Sequence, residues 1–143
     1  MKKNKNKKLP LVSVILNCYN SARFLKKSIN SVIAQSYQNW ELIIFDNCSS
    51  DNTKLEVIKF KKNKKIKYFK SKRLVNLYYA RNLAIEKARG SLITFLDADD
   101  WWIKDKLKFQ VRFLNHNKTS NVVYSNLFLF YEKKNKIKLF SKA

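Results

Sequence analysis

The stretch Ser91-Leu92-Ile93-Thr94-Phe95-Leu96-Asp97-Ala98-Asp99-Asp100 decides how the rest of the chain is read. A continuous apolar and β-branched run predicts a strand buried on both faces. Here that run ends in three carboxylates within four positions. The same arrangement occurs twice upstream: Leu11 to Leu16 runs into Asn17 to Asn20, and Glu41 to Phe45 runs into Asp46 to Asp51. Five of the ten acids in the chain fall in the second and third of these polar clusters, so the scarce negative charge is concentrated at strand ends.

Helical patterns separate the three runs. Ala22, Leu25, Ile29, Val32 and Ile33 form one apolar stripe, with Asn20 or Ser21 as its N-cap. Leu55, Val57, Ile58 and Phe60 follow the polar loop from Asp46 to Thr53, in which Asp51 and Thr53 are read as capping residues. Leu77, Ala80, Ala84, Ile85 and Ala88 mark a third helix, which Gly90, the only glycine, is expected to close in the left-handed C′ position. A fourth helix is predicted from about Lys104 to Asn115. Ile66 to Phe69 reads as a strand near the sheet edge, and Val122 to Tyr131 with Ile137 to Phe140 as a hairpin turning at Lys133 to Lys136. Strands alternating with helices give an α/β fold, a mostly parallel sheet with helices on both faces and its ligand beyond the carboxyl ends of the strands.

At 143 residues there is room for one ordinary domain, expected over 10–143 after a basic leader, 1–9, without fixed structure. Two cysteines are too few for a disulfide scaffold. The leader's five lysines precede a run of only eight residues, Leu9 to Leu16, which contains Pro10 and Ser13. That run leads to Asn17 where a cleavage site needs a small residue, which argues against a signal peptide, and no run reaches a membrane span. The expected address is the cytoplasm, at or near the inner face of the membrane. The net charge of +21 is the extreme number, and it predicts attraction to polyanions or an anionic membrane. Much of it is lysine, 26 of 31 cations, beside 16 asparagines, a bias that adenine-rich codons also produce.

The polar ends suggest chemistry. Three carboxylates crowded at Asp97, Asp99 and Asp100 repel one another unless a cation relieves them, and oxygen ligands select Mg²⁺ or Mn²⁺ shared with substrate phosphates. The alternative for Asp99 or Asp100 is a cap on the helix beginning near Trp102. Asp46 and Asn47 suit hydrogen bonds to a base or ribose, and Tyr19 suits stacking on a base. Trp101 and Trp102 are expected to pack beneath the acidic loop, and His116 receives no role.

Val12 to Asn20, Asp46 to Thr53 and Ala80 to Trp102 resemble the N-terminal half of the family-two glycosyltransferases of GT-A fold, which transfer a sugar from a nucleotide diphosphate sugar with inversion. Ala80-Arg81-Asn82, Gly90 and Phe95-Leu96-Asp97-Ala98-Asp99-Asp100 with Trp102 are similar to that family's ARN helix and DxD element. The resemblance implies that Asn17, Tyr19 and Asn20 lie at the nucleotide base, and that Asp46 and Asn47 contact base and ribose. It implies that Arg81 and Asn82 support the donor pocket, that Asp97 and Ala98 line it, and that Asp99, with Asp97 and Asp100, binds Mg²⁺ or Mn²⁺ at the diphosphate. It also implies a polysaccharide or lipid-linked acceptor and a role in building the cell envelope.

The sequence departs from that pattern where Asn17 replaces a common Pro, Asn47 and Cys48 a common Asp and Gly, and Ala84 a common Gly. Glu132 is the only acid after Asp105, so the catalytic base is expected to be missing and the chain to be a truncated, donor-binding half. Two readings stand beside this one: a catalytically inactive fragment, and a basic nucleic-acid-binding protein using Lys59 to Arg73. Carboxylates at the functional edge argue against nucleic acid. Exposed apolar surface on the hairpin is expected to favour a partner chain, a dimer or peripheral membrane contact.

Overall fold

The computed structural model describes residues 9–140, so all but the last residue of the basic leader lies outside the described residues. In chain order the elements are β1 (Val12–Cys18), α1 (Ala22–Ile33), β2 (Trp40–Asp46), α2 (Thr53–Ile58), β3 (Ile66–Lys70), α3 (Leu77–Ile85), β4 (Leu92–Phe95), α4 (Lys106–His116), β5 (Leu127–Tyr131) and β6 (Lys136–Phe140). The chain divides between Lys108 and Phe109 into two compact units.

The first unit is built on a four-stranded sheet in the order β3-β2-β1-β4, with every neighbouring pair parallel. The crossovers through α1 and α2 travel one way across the sheet and the crossover through α3 travels back. Right-handed connections therefore set α3 on the opposite face from α1 and α2. Ile15, Ile43 and Phe45 pack with Ala80 and Ala84 of α3, while Leu25, Ile29 and Val32 give α1 its buried stripe. β1 and β2 read as near-continuous apolar runs because they are the two central strands.

β4 departs from expectation. It sits at an edge of the described sheet, and Ile93 and Phe95 are 45% and 46% exposed, where burial on both faces was expected. Gly90 is also not a left-handed cap: no glycine has positive φ, and α3 has already ended at Ile85. Its requirement is space, since a Cβ there would stand 2.6 Å from the Leu11 carbonyl oxygen and 2.7 Å from Ser13 N and Oγ.

Close by, the one acid of β2's interior is held by a dense network. Glu41 is 2% exposed. Its Oε1 accepts from Ser13 Oγ (2.8 Å) and Arg89 N (2.7 Å), and its Oε2 from Lys67 Nζ and Arg89 Nε, both at 3.0 Å. Gly90 N donates in turn to Ser13 Oγ at 2.8 Å. Burial works to raise the Glu41 pKa, but these donors outweigh it and hold the carboxyl at about 2.

In the second unit β5 and β6 form an antiparallel hairpin pairing Leu127 with Phe140 and Tyr131 with Lys136. The first strand starts at Leu127, later than the expected Val122, and the turn is a short 3₁₀ segment, Glu132–Lys134, followed by Asn135 at φ 45°. Every residue of both strands is exposed, including Phe128 and Ile137. Among the described residues no helix is long and apolar enough to cross a membrane.

Candidate functional site at the strand tips

Parallel pairing sends β1, β2 and β4 in one direction, so Asn17, Asp46 and Asp97 gather at one edge of the sheet. The registers Cys18 with Asp46 and Ile15 with Phe95 fix this, and Leu96 N donates to Ile15 O at 3.0 Å just before the acidic turn.

The tips of β1 and β2 are laced together. Asn20 takes a left-handed conformation, φ 48°, and its Oδ1 accepts from Ser50 N (2.9 Å) and Asp51 N (3.4 Å). Its own N–H donates to Ser49 Oγ at 2.9 Å, and Asn47 N donates to Cys18 O at 2.8 Å. Asp51 joins two helix starts, accepting from Ala22 N (3.1 Å) at the head of α1 and Thr53 N (2.9 Å) at the head of α2. Asp51 thus takes the capping task expected of Asn20 or Ser21 at α1, where Ser21 makes no side-chain cap bond. Anions at helix N-termini meet the unpaired N–H groups and the positive end of the dipole.

Asp46 is wholly buried, and both of its oxygens are engaged, Oδ1 by Ser49 N at 2.7 Å and Oδ2 by the Tyr68 hydroxyl. Burial, with the bond to Asp46, raises the Tyr68 pKa, and burial, with the Asp46 charge, raises that of Cys18. Asn47 is likewise buried and clasps one residue of the β3–α3 connection, Nδ2 donating to Val75 O (2.7 Å) and Oδ1 accepting from Val75 N (3.1 Å). These two residues shape the β2 tip from within. Tyr19 is instead 49% exposed, and Asn17 carries a buried Nδ2 without a hydrogen-bond partner at the end of β1. Cys48, which follows Asn47, is held at φ 69°.

On the other side Arg81 reaches from α3 to Asp97, Nη2 to Oδ1 at 2.9 Å, with its guanidinium 5.6 Å from the centre of the Phe95 ring. Asn82 is exposed at the next position of α3. Asp97 to Asp100 form a turn closed by Asp100 N and Asp97 O at 3.1 Å. Asp97, Asp99 and Asp100 are exposed and Ala98 is buried. α4 starts only at Lys106, so neither Asp99 nor Asp100 caps it. Burial and the charges of Asp99 and Asp97 push the Asp100 pKa up.

Among the described residues no three His, Cys, Asp or Glu side chains converge on a common metal position, so the three acids do not form a ready-made three-ligand cage. Arg81 already occupies one oxygen of Asp97. This donor set fits Mg²⁺ or Mn²⁺ bound through one or two carboxylates together with ligand phosphates. Trp101 lies partly exposed under the Lys27 ammonium, 3.0 Å from the ring centre, and Trp102 is only partly covered, with Lys106 at 4.4 Å, so the pair does not form the buried floor expected of it.

Sequence reasoning passed over several residues that build this edge. Tyr68 holds Asp46, and Lys70 Nζ donates to Ser49 O at 2.7 Å. Buried Ser28 donates from α1 to the Ala98 carbonyl at 2.7 Å and is drawn to that of Asp100. Buried Gln35 donates to Ile103 O (2.8 Å) and accepts from Leu107 N (3.0 Å). The available signal was polar residues within or beside the apolar stripe of α1. A groove of about 530 Å³ lined by Phe109, Phe113, His116, Val123 and Tyr124 belongs wholly to the second unit and takes nothing from the strand tips.

The chain is similar to known proteins over most of its length. The chain is 40% identical over 116 residues to the Escherichia coli UDP-Glc:alpha-D-GlcNAc-diphosphoundecaprenol beta-1,3-glucosyltransferase WfgD, a match covering 81% of this chain and 45% of that protein. It is 40% identical over 106 residues to the putative teichuronic acid biosynthesis glycosyltransferase TuaG of Bacillus subtilis, covering 73% and 42% respectively. Thus the chain spans less than half the length of these relatives. The structure of S. aureus TarS residues 1–349 in complex with UDP superposes with a TM-score of 0.71 at 28% identity, over 75% of this chain and 32% of that one. Residues 13–140 match the family description Glycosyl transferase family 2, and with the parallel sheet and its acidic edge this places the chain in that family.

Proposed function

We propose that this chain carries the donor-binding half of an inverting hexosyltransferase that takes a sugar from a nucleotide diphosphate sugar. The observation that carries the reading is the gathering of Asn17, Asp46 and Asp97 at one carboxyl edge of a parallel sheet, with Arg81 paired to Asp97. UDP in the complex of TarS and UDP-Glc in the name of WfgD support a nucleotide donor.

In this reading Tyr19 stacks on the base, with Asn17 and Asn20 beside it. Asp46 and Asn47 hold the pocket floor beneath base and ribose. Arg81 and Asn82 orient the donor's sugar side, where Asp97 and Ala98 form the wall. Asp99, with Asp97 and Asp100, holds Mg²⁺ or Mn²⁺. The ion supplies Lewis-acid stabilisation of the charge that grows on the departing diphosphate. No described residue is assigned as the base that deprotonates the acceptor. The acceptor is proposed to be a lipid-linked or polysaccharide glycan of the cell envelope, met at the inner face of the membrane, by analogy with the diphosphoundecaprenol in the name of WfgD and the teichuronic acid in that of TuaG.

Titration calorimetry of the chain with UDP and with GDP, with and without Mn²⁺, tests this. The expected result is binding that requires the ion, and an Asp99→Ala variant that folds normally but no longer responds to Mn²⁺. Equal affinity with and without Mn²⁺ sinks the metal assignment. Absence of binding to either nucleotide, with tight binding to single-stranded RNA, returns the chain to the nucleic-acid reading.

A further inference from the structure

An amphipathic helix normally turns apolar residues inward, yet α1 buries Ser28 and Ser31 beside Leu25, Ile29 and Val32, and Gln35 just beyond its end is buried too. Polar side chains removed from water lose hydrogen bonds unless the protein supplies partners, at a cost of roughly 1–3 kcal/mol each. For Ser28 the partners lie some 70 residues away in sequence. Its hydroxyl donates to the carbonyl of Ala98 and is drawn to that of Asp100. These are the carbonyls of the residue before Asp99 and the residue after it. The turn is also closed across its mouth by Asp100 N and Asp97 O. Further along, Gln35 Nε2 donates to Ile103 O, its Oε1 accepts from Leu107 N, Ser36 N donates to Lys104 O at 2.9 Å, and Ser36 Oγ donates to Asp105 Oδ1 at 2.5 Å. The loop between β4 and α4 therefore rests along its length on α1 and the residues that follow it.

We propose that Ser28 is the positioning residue of the acidic turn: by holding the carbonyls of Ala98 and Asp100, the residues on either side of Asp99, it fixes where Asp99 stands relative to Asp97. It touches no ligand and acts through the turn. The chemistry favours this over simple core filling, because alanine would fill the space nearly as well and would remove the single hydroxyl proton that the two carbonyls share. Ser31 is the natural contrast. It is buried on the same helix, but its hydroxyl bonds only the Ser28 carbonyl, at 2.7 Å, within α1. The inference about turn geometry is independent of the donor reading, and only its consequence for affinity rests on it.

The test compares the full chain with its Ser28→Ala and Ser31→Ala variants by amide hydrogen exchange and by titration with UDP in Mn²⁺. Ser28→Ala is expected to speed exchange at Asp100, whose N–H is bonded to Asp97 O, at least tenfold, with strand amides such as Leu16 and Ile43 unchanged, and to weaken Mn²⁺-dependent UDP affinity about tenfold. Ser31→Ala is expected to leave both turn exchange and affinity as they were. Unchanged turn exchange in Ser28→Ala overturns the proposal, as does an equal effect from Ser31→Ala, which would mark a general loosening of α1. Faster exchange with undiminished affinity overturns it too. Should the unmutated chain bind no UDP, the donor reading fails and the exchange rates alone decide the role of Ser28.

Discussion

Arg81 Nη2 stands 2.9 Å from Asp97 Oδ1, so a cation from α3 and the first acid of the turn after β4 form one unit at the sheet edge. Arg81 is 30% exposed and Asp97 62%, and ion pairs this open to water contribute at most about 1 kcal/mol to stability. Arg81→Ala is therefore expected to change the unfolding free energy by less than about 1 kcal/mol. UDP affinity in Mn²⁺ should fall about tenfold, through the lost orientation of Asp97. Urea denaturation and calorimetry on the same sample check both halves. A large loss of stability would make the pair structural.

Glu41 makes the chain sensitive to acid. Its folded pKa of about 2 lies below the ordinary 4.5, so between those values the unfolded chain binds more protons than the folded one. Its contribution is complete above pH 4.5 and is lost as pH falls toward 2. At most about 3 kcal/mol disappears in that window. Glu41→Gln should flatten this part of the stability profile measured by denaturant titration, and should cost about 3 kcal/mol at neutral pH by leaving Arg89 and Lys67 without their anion.

Gly90→Ala tests the reading of that glycine as a matter of space. The added carbon would meet backbone at Leu11 O and Ser13 N, atoms that cannot swing aside as a flexible side chain can. A loss of about 2–4 kcal/mol is expected, as for other overpacked or strained sites. A left-handed cap would give a smaller penalty, near 1 kcal/mol. The midpoint in urea distinguishes them.

Cys48 bears the opposite signature. At φ 69° it occupies backbone space that a residue with a Cβ enters at a cost of roughly 1 kcal/mol. Cys48→Gly, which restores the residue common in the family, should raise stability by about 0.5–1 kcal/mol. Cys48→Val should lower it, since branching at Cβ makes the left-handed region less accessible. Thermal unfolding of the two variants settles the order.

The apolar runs Leu11 to Leu16 and Glu41 to Phe45 could be read as central strands because a strand covered on both faces needs no alternation. The polar ends of those runs then located the edge that the fold brings together. The run from Ser91 to Leu96 has the same composition, but which strands flank it is a property of the sheet, and Ile93 and Phe95 come out half-exposed at its border. Ser28, Gln35 and Tyr68 were illegible for another reason. Each is polar, and each is explained only by a partner far along the chain: Ala98, Ile103 and Asp46. Gly90 shows the same limit, since its neighbours Leu11 and Ser13 belong to the first strand. Local pattern carries elements and their order, whereas the pairing of buried polar atoms is written only in three dimensions.

Asn47 grips Val75 by both its N–H and its carbonyl, and Val75 leads into α3, whose Arg81 holds Asp97. The tip of β2, the start of α3 and the acidic turn are thereby linked by a continuous chain of contacts. In the proposed donor reading, these bonds hold the residues assigned to the base and those assigned to the diphosphate at a fixed spacing. An edge held in this way would spend little binding energy on ordering itself. If a nucleotide binds there as proposed, its association is therefore expected to run in a single phase whose rate rises in proportion to ligand concentration, without the slow step that a closing lid imposes.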